Sequence, residues 1–445
     1  MSSRALGALL PHVVVPPPGP ASRALADRLR AVESRNVTQL ASDWPVFWDE
    51  AVGSNVRDAD GNVYVDLSAG FGVALLGHSH PAVVEAVRDQ ARRLVHGMGD
   101  VHPPEIRVRL LERLCALAPW PHARSVLATT GSEAVEIALK TAQIATGKPG
   151  VLAFGSGYHG LTLGSLAVTE RETFRRPFAR RVYPGVTFVP FPVHVSPDKT
   201  LGVVREALRA GAPNGDPIGA VIVEPVQGRA GARIAPQGFM ASLSELAREA
   251  GVLVIADEIL TGMGRCGTML ASERVGLEPD LVCLGKALGG GLPISVCLGS
   301  RTVMDAWPPS DGEAIHTSTF LGHPLACAAA LAVLDRYAPE RVLERVESLG
   351  TRLLDGLSGR LSGARGVVEV RGLGLLLGIE LGGGTSARRS GLGARVAAAV
   401  LRKGVIVLPA GDDGHVVELT PAVTLTGEQA DHAVDALVGA IEEVC

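Results

Sequence analysis

The apolar and polar positions of this 445-residue chain fall into successive rhythms, and each predicts a different kind of structure. Residues 46–68 alternate apolar and polar around Asp60-Gly61, the signature of a hairpin in a half-buried sheet. Ahead of them, the proline-rich arm 11–20 reads as extended, and 22–34 has helical spacing through Leu25, Leu29 and Val32. Residues 81–95 and 104–117 read as amphipathic helices, with Pro81 and Pro103-Pro104 suited to their first turns.

From about residue 124 the rhythm changes to short, continuously apolar runs alternating with helical stretches. SVLATT is followed by the helix of SEAVEIALKTAQIATG and then by GVLAF; AVIVEP follows later, then a helix over 238–250 and GVLVIADE. Strands at 281–284 and 294–299 and helices at 323–335 and 340–357 complete this part. Repeated strand-helix units with uninterrupted apolar strands predict a parallel sheet covered on both faces, with ligands at the carboxyl ends of its strands. Apolar runs near 367–379 and 404–408 and helices at 391–402 and 427–443 read as a smaller α+β part, with GGGTSARRSG (382–391) as a surface loop. The expected fold class is α/β: a large domain (80–340) with a mostly parallel sheet, plus a smaller α+β domain from the N-terminal (1–79) and C-terminal (341–445) segments.

Charged residues make up 20% of the chain and its formal net charge is −4, which argues against nucleic acid or an anionic membrane as partner and favours small ligands. Cys115, Cys266, Cys283, Cys297, Cys327 and Cys445 are scattered without a CxxC pair, as expected of reduced thiols rather than disulfides or zinc. The apolar patch at the N-terminus is broken by Pro11, His12 and Pro16 to Pro18, and no later apolar run has spanning length. The reading is a soluble, cytoplasmic protein.

Chemistry concentrates at predicted strand ends. Lys286 lies where the apolar run Leu281–Leu284 enters the glycine turn Gly289–Gly291, a place where a cofactor can approach the backbone. Asp257 ends GVLVIAD; it either caps the following segment or meets a buried cation, such as the pyridinium nitrogen of a pyridoxal cofactor. Thr130-Gly131-Ser132-Glu133 matches a capping box at a helix start, which can also hold phosphate. GSGYHG (155–160) fits a dinucleotide pattern, but no strand with a following acid comes at the required distance. Tyr158 and His159 instead suit a lid over a planar ring. Glu224 ends another apolar strand, where it caps, pairs or faces a ligand. His78 and His80 in GHSHP read as turn-stabilising residues rather than metal ligands.

The order of GHSHP, TTGSEAVEIALKTAQIATG, YHGLT, VEPVQG, DEILTGMGRCG, CLGKALGGGLP and STFLGHPLACAAALAVL resembles the class III (ω-type, fold type I) pyridoxal-phosphate aminotransferases from about residue 45 onward. The resemblance implies pyridoxal 5'-phosphate as cofactor, with Lys286 forming the Schiff base and shuttling the proton. It further implies that Asp257 holds the pyridine nitrogen, that Ile259 lies beneath the ring and Tyr158 above it, and that Gly131 and Ser132 bind the phosphate beside Thr130. Glu224 and His159 would lie close to the cofactor. Thr319 would reach the phosphate of a neighbouring subunit, which implies a homodimer with a shared active site. The implied reaction moves an amino group from an amine or amino acid to an oxo acid in two half-reactions; a racemase or epimerase, an aminomutase or a decarboxylase of the same fold is the alternative. Two departures stand out: Leu260 replaces a common glutamine, and a Glu/Arg pair of the family corresponds to Arg229 and Glu418, with charges exchanged. Either Arg229 takes over substrate carboxylate binding, or the acceptor is pyruvate or another oxo acid rather than 2-oxoglutarate. Phe71, Val73 and Trp44 either line the substrate pocket or pack in the core.

Overall fold

The computed structural model describes residues 6–41, 44–382 and 390–445. Most of the predicted loop 382–391 (residues 383–389) lies outside the described residues. By its own contacts the chain divides into two units, one of residues 1–80 and 344–445, the other of residues 81–343.

In the first unit, β1 (Trp48–Val52), β2 (Asn55–Asp58) and β3 (Val63–Asp66) form an antiparallel meander. The turn between β2 and β3 holds Asp60-Gly61, as the alternation predicts. The proline-rich arm lies on this sheet: His12 bridges Val63, and Asn62 Oδ1 accepts from Val14 N and Val15 N at 2.8 and 2.9 Å.

The second unit is built on a seven-stranded sheet whose strands are, in chain order, β4 (Arg124–Ala128), β5 (Gly150–Phe154), β6 (Val186–Val189), β7 (Ile218–Val223), β10 (Leu253–Glu258), β11 (Leu281–Leu284) and β12 (Ser295–Gly299). The short pair β8 (Val226–Gln227) and β9 (Arg233–Ile234) forms a separate hairpin. The sheet order is β4-β12-β11-β10-β7-β5-β6. β5, β7 and β11 are buried throughout, which explains their unbroken apolar sequences. The helix Gly131–Thr146 buries Ala134, Val135, Ile137 and Ala138 in the same core cluster as Ile222, Ile255 and Cys283.

One strand departs from the parallel expectation. β12 runs antiparallel to both β11 and β4. Only the turn through Lys286 joins it to β11, and a parallel return needs a crossover of a dozen or more residues. The rest of the chain adds two further strand sets in the first unit. β13 (Val367–Leu373), β14 (Leu376–Leu381), β16 (Leu408–Ala410) and β17 (Val416–Leu419) form an antiparallel sheet, and β15 (Val405–Ile406) pairs in parallel with β3. The N- and C-terminal segments thus share one sheet.

Among the described residues no helix is long and apolar enough to cross a membrane, and no group of three or more His, Cys, Asp or Glu could hold a metal ion. All six cysteines are free.

Candidate active site

The register of the second unit's sheet brings four loops to one edge. Ala256 pairs with Val223 and Ala153 with Ile222, so Asp257, Glu224 and Gly155 leave three adjacent parallel strands at nearly one level. Glu258 pairs with Leu284, which places Gly285 and Lys286 one step beyond the same edge. Ser295 opposes Ala128 and donates its hydroxyl to the Thr130 carbonyl at 2.6 Å, so the start of the helix Gly131–Thr146 joins them.

The floor of this site is acidic and buried. Asp257 Oδ2 accepts from His159 Nδ1 at 2.7 Å, and Asp257 Oδ1 accepts from Ile259 N at 3.1 Å. Both Asp257 and His159 are 4% exposed. Burial by itself would lower the His159 pKa, but the hydrogen bond to Asp257 and the charges of Asp257 and Glu224 outweigh it and leave it raised. His159 Nε2 is buried without a hydrogen-bond partner among the described residues. Glu224 accepts from Tyr158 N at 3.0 Å and from Gly228 N at 3.1 Å. Burial first, with the Asp257 charge adding to it, pushes Glu224 up to about 7 despite His159 and these two donors.

Facing this floor is a helix start. Thr130 accepts from Glu133 N at 3.3 Å, and Glu133 accepts from Thr129 N and Thr130 N at 2.7 and 3.1 Å, which completes the predicted capping box. The N–H groups of Gly131 and Ser132 have no partner among the described residues, and the N-terminal end of a helix favours an anion there. A Cβ on Gly131 would lie 2.9 Å from Ile259 Cγ2, and one on Gly285 would lie 3.1 Å from Ile259 Cδ1. Ile259 thus fills the space between the helix start and the lysine turn. Lys286 itself is half-buried with φ +37°, a strained value of the kind that persists where surrounding structure enforces it.

The rim is cationic and partly open. Tyr158, half-buried, meets Phe174 edge-on with ring centroids 6.2 Å apart, and the Arg171 guanidinium lies 5.5 Å above Phe174. Arg229 follows Gly228 in the β8-β9 hairpin. Burial raises the Tyr158 pKa, and the charges of Arg229 and Arg171 oppose that rise. The residue pattern indicates Tyr158 and the family resemblance Arg229, but neither indicates Arg171, Phe174, Ser295 or Thr169, whose hydroxyl accepts from His159 N at 2.9 Å. None of these four stands in a motif with local meaning.

The remaining candidates stand on other segments of the chain. Thr319 is exposed, just before the helix Pro324–Leu334, and makes no hydrogen bond within the described chain. Phe71 and Glu418 belong to the first unit. Phe71 is 63% exposed on a turn in which Ala69, Gly70, Phe71 and Gly72 all have positive φ. Glu418 is 5% exposed on β17, opposite Gly378 of β14. His78, in the same unit, bonds Asp66 Oδ2 at 2.8 Å.

A buried carboxylate bonded to a histidine, an anion-accepting helix start and a lysine on a strained turn share one sheet edge. That donor set fits pyridoxal phosphate, whose ring nitrogen, phosphate and aldehyde need an acid, free N–H groups and an amine. The model of the class III aminotransferase family matches residues 37–441. The chain belongs to the class III aminotransferases. It is 35% identical over 419 residues to the acetylornithine aminotransferase of Methanothermobacter thermautotrophicus, covering 94% of this chain and 100% of that one. It is 36% identical over 432 residues to the 5-aminovalerate aminotransferase DavT of Pseudomonas aeruginosa, covering 95% and 99%. Among solved structures it resembles a PLP-bound amine transaminase from an uncultivated Pseudomonas species, with a TM-score of 0.85, 29% identity and coverage of 93% and 99%. The protein is a pyridoxal-phosphate-dependent transaminase of fold type I, acting on an amine or amino-acid donor and an oxo acid.

Proposed function

We propose that the transaminase works through the residues gathered at this sheet edge, with Lys286 at the centre. The observation that carries the reading is the buried pair of acids Asp257 and Glu224, with His159 bonded to Asp257, at the sheet edge that also carries Lys286. Bound pyridoxal phosphate supplies an aldehyde that condenses with amines and a ring that accepts the electron pair released beside them. Asp257, steadied by His159 Nδ1, holds the ring nitrogen in its protonated form. The N–H groups of Gly131 and Ser132 take the phosphate, with Thr130 capping the helix behind them. Ile259 and Tyr158 would pack against the ring. Lys286 would hold the aldehyde, and its Nζ would move a proton to and from the substrate carbon. Arg229 binds the substrate carboxylate through its planar guanidinium.

The same reading takes the enzyme to be a cytoplasmic homodimer. Four buried free thiols (Cys266, Cys283, Cys297 and Cys327) suit a reducing compartment. Thr319 stands beside exposed Ile315 (68%) and Phe320 (56%), and Thr317 Oγ1 donates to Asp100 Oδ2 at 2.9 Å, next to exposed Val101 (59%) and near Met98 (54%). An apolar surface of this kind suits a second copy of the chain.

Visible absorbance of the purified holoenzyme tests the reaction. A donor amine is expected to abolish the cofactor band and an oxo acid to restore it. A band that only shifts while the substrate returns racemised, rearranged or decarboxylated would replace the reaction with one of the same-fold alternatives. Sedimentation of Phe320→Asp against wild type tests the dimer.

A further inference from the structure

We infer that Glu224 is a positioning residue, a latch whose carboxylate holds the Tyr158 loop and the Arg229 hairpin together and thereby sets how tightly the site takes a substrate carboxylate. This rests on the reading of Arg229 above. Glu224 is the first residue past β7 and is 6% exposed. Its two oxygens serve two different segments, Oε1 taking Tyr158 N and Oε2 taking Gly228 N.

Each segment is built so that this bond matters. Gly228 is the pivot of the hairpin that carries Arg229, since its carbonyl accepts from Gly231 N at 2.7 Å and Ala232 N at 3.2 Å. A Cβ on Gly228 would lie 2.2 Å from Leu260 Cδ2, so the backbone is pressed against that side chain. Ala232 in the hairpin and Ser156 in the Tyr158 loop have φ of +54° and +62°, conformations that a non-glycine residue keeps only when neighbours hold it. Gln227 Nε2 adds a second tie, donating to Gly155 O at 2.9 Å.

The groups acting on Glu224 are His159 from the β5 loop and Asp257 from β10; Arg229 and the Tyr158 phenol stand on the segments it holds. Two N–H donors match an ionised carboxylate. Protonation puts an O–H on one oxygen, where it faces an N–H, and that leg of the latch is released. With the carboxyl pushed up to about 7, the change falls in the neutral range.

Amide hydrogen exchange and acceptor kinetics, both on the holoenzyme, test this. In Glu224→Gln, exchange at Tyr158 N or Gly228 N is expected to quicken about tenfold, and KM for pyruvate to rise about tenfold, a larger factor than the change in kcat, as for the loss of one charge-assisted hydrogen bond. Wild-type KM is expected to rise as pH falls through about 7, and the variant's to be flat. Unchanged exchange, with KM and its pH profile as in wild type, overturns the latch. Arg229→Gln separates the two readings. If Arg229→Gln alone leaves KM unchanged, the carboxylate role of Arg229 falls, while the exchange data still decide the latch. If both hold, Glu224→Gln adds little to KM in the Arg229→Gln background. Should Glu224→Gln fail to fold, the wild-type exchange profile decides. Protection of the two amides that drops below about pH 7 supports the latch, and protection that stays level on both sides of that pH overturns it.

Discussion

Each unit buries a glutamate beside a histidine, and the two end up at opposite ends of the carboxyl range. Glu380 on β14 is 6% exposed, with Arg371 Nη1 at 2.6 Å and His415 Nε2 at 3.6 Å. His415 foremost, and Arg371 after it, draw Glu380 down to about 2 against the effect of burial. Glu224 is equally buried but has two backbone N–H groups, a second acid nearby and a histidine already bonded to that acid, and it rises to about 7. The first arrangement is a cluster in which a guanidinium of the chain itself meets the acid. The second leaves two buried acids sharing one histidine at the sheet edge that also carries Lys286, where a ligand can meet them. Burial of acid is common to both; the presence of a bonded guanidinium separates structure from site.

That contrast can be broken most sharply by removing the groups that await the ligand. Lys286→Ala and Asp257→Asn are each expected to lower turnover by about a thousandfold or more, whereas Glu380→Gln should change it by less than about threefold. Retention of a tenth of wild-type turnover in Asp257→Asn would erase the distinction. A stability measurement comes next. Arg371→Leu is expected to cost about 3 kcal/mol in urea unfolding, because it strands Glu380 without its guanidinium. Asp257→Asn in the cofactor-free protein should cost less, since weakening its bond to His159 is offset in part by removing a charge that repels Glu224.

The pH dependence sharpens the comparison further, with opposite signs. Glu380 is lowered from 4.5 to about 2, so its contribution to stability is present above 4.5 and lost as pH falls through about 2. Glu224 is raised from 4.5 to about 7, so its contribution is present below 4.5 and lost as pH rises through about 7. Unfolding curves of wild type relative to Glu380→Gln and to Glu224→Gln should therefore diverge in opposite directions on acidification. The smallest effect belongs to the helix start: Thr130→Ala should cost about 1 kcal/mol of stability, the usual worth of an N-cap, measured by thermal unfolding.

Much of the site is legible in the amino-acid sequence, because its signals are local. A continuous apolar run marks a buried strand, its last residue lies at an edge, and the next few residues form a turn whose chemistry can be read directly. Lys286, Asp257 and the capping box of Thr130 and Glu133 follow from that logic alone, and the ordered motifs tie them to a family. The identity of the pieces and their places on strand ends are thus set by sequence. Their partners are not. A run of apolar residues says that a strand is buried but not which neighbours it meets, so the antiparallel course of β12 shows only in its short connection to β11, and the bond from His159 to Asp257 across 98 residues leaves no mark in the pattern. The same holds for Glu224, which reads as a strand-end acid and becomes a tie between two loops only when β5, β7 and β10 lie side by side in register. Charge state belongs to that second level as well, because burial and neighbouring charge, which push one glutamate up and the other down, exist only after the chain has folded.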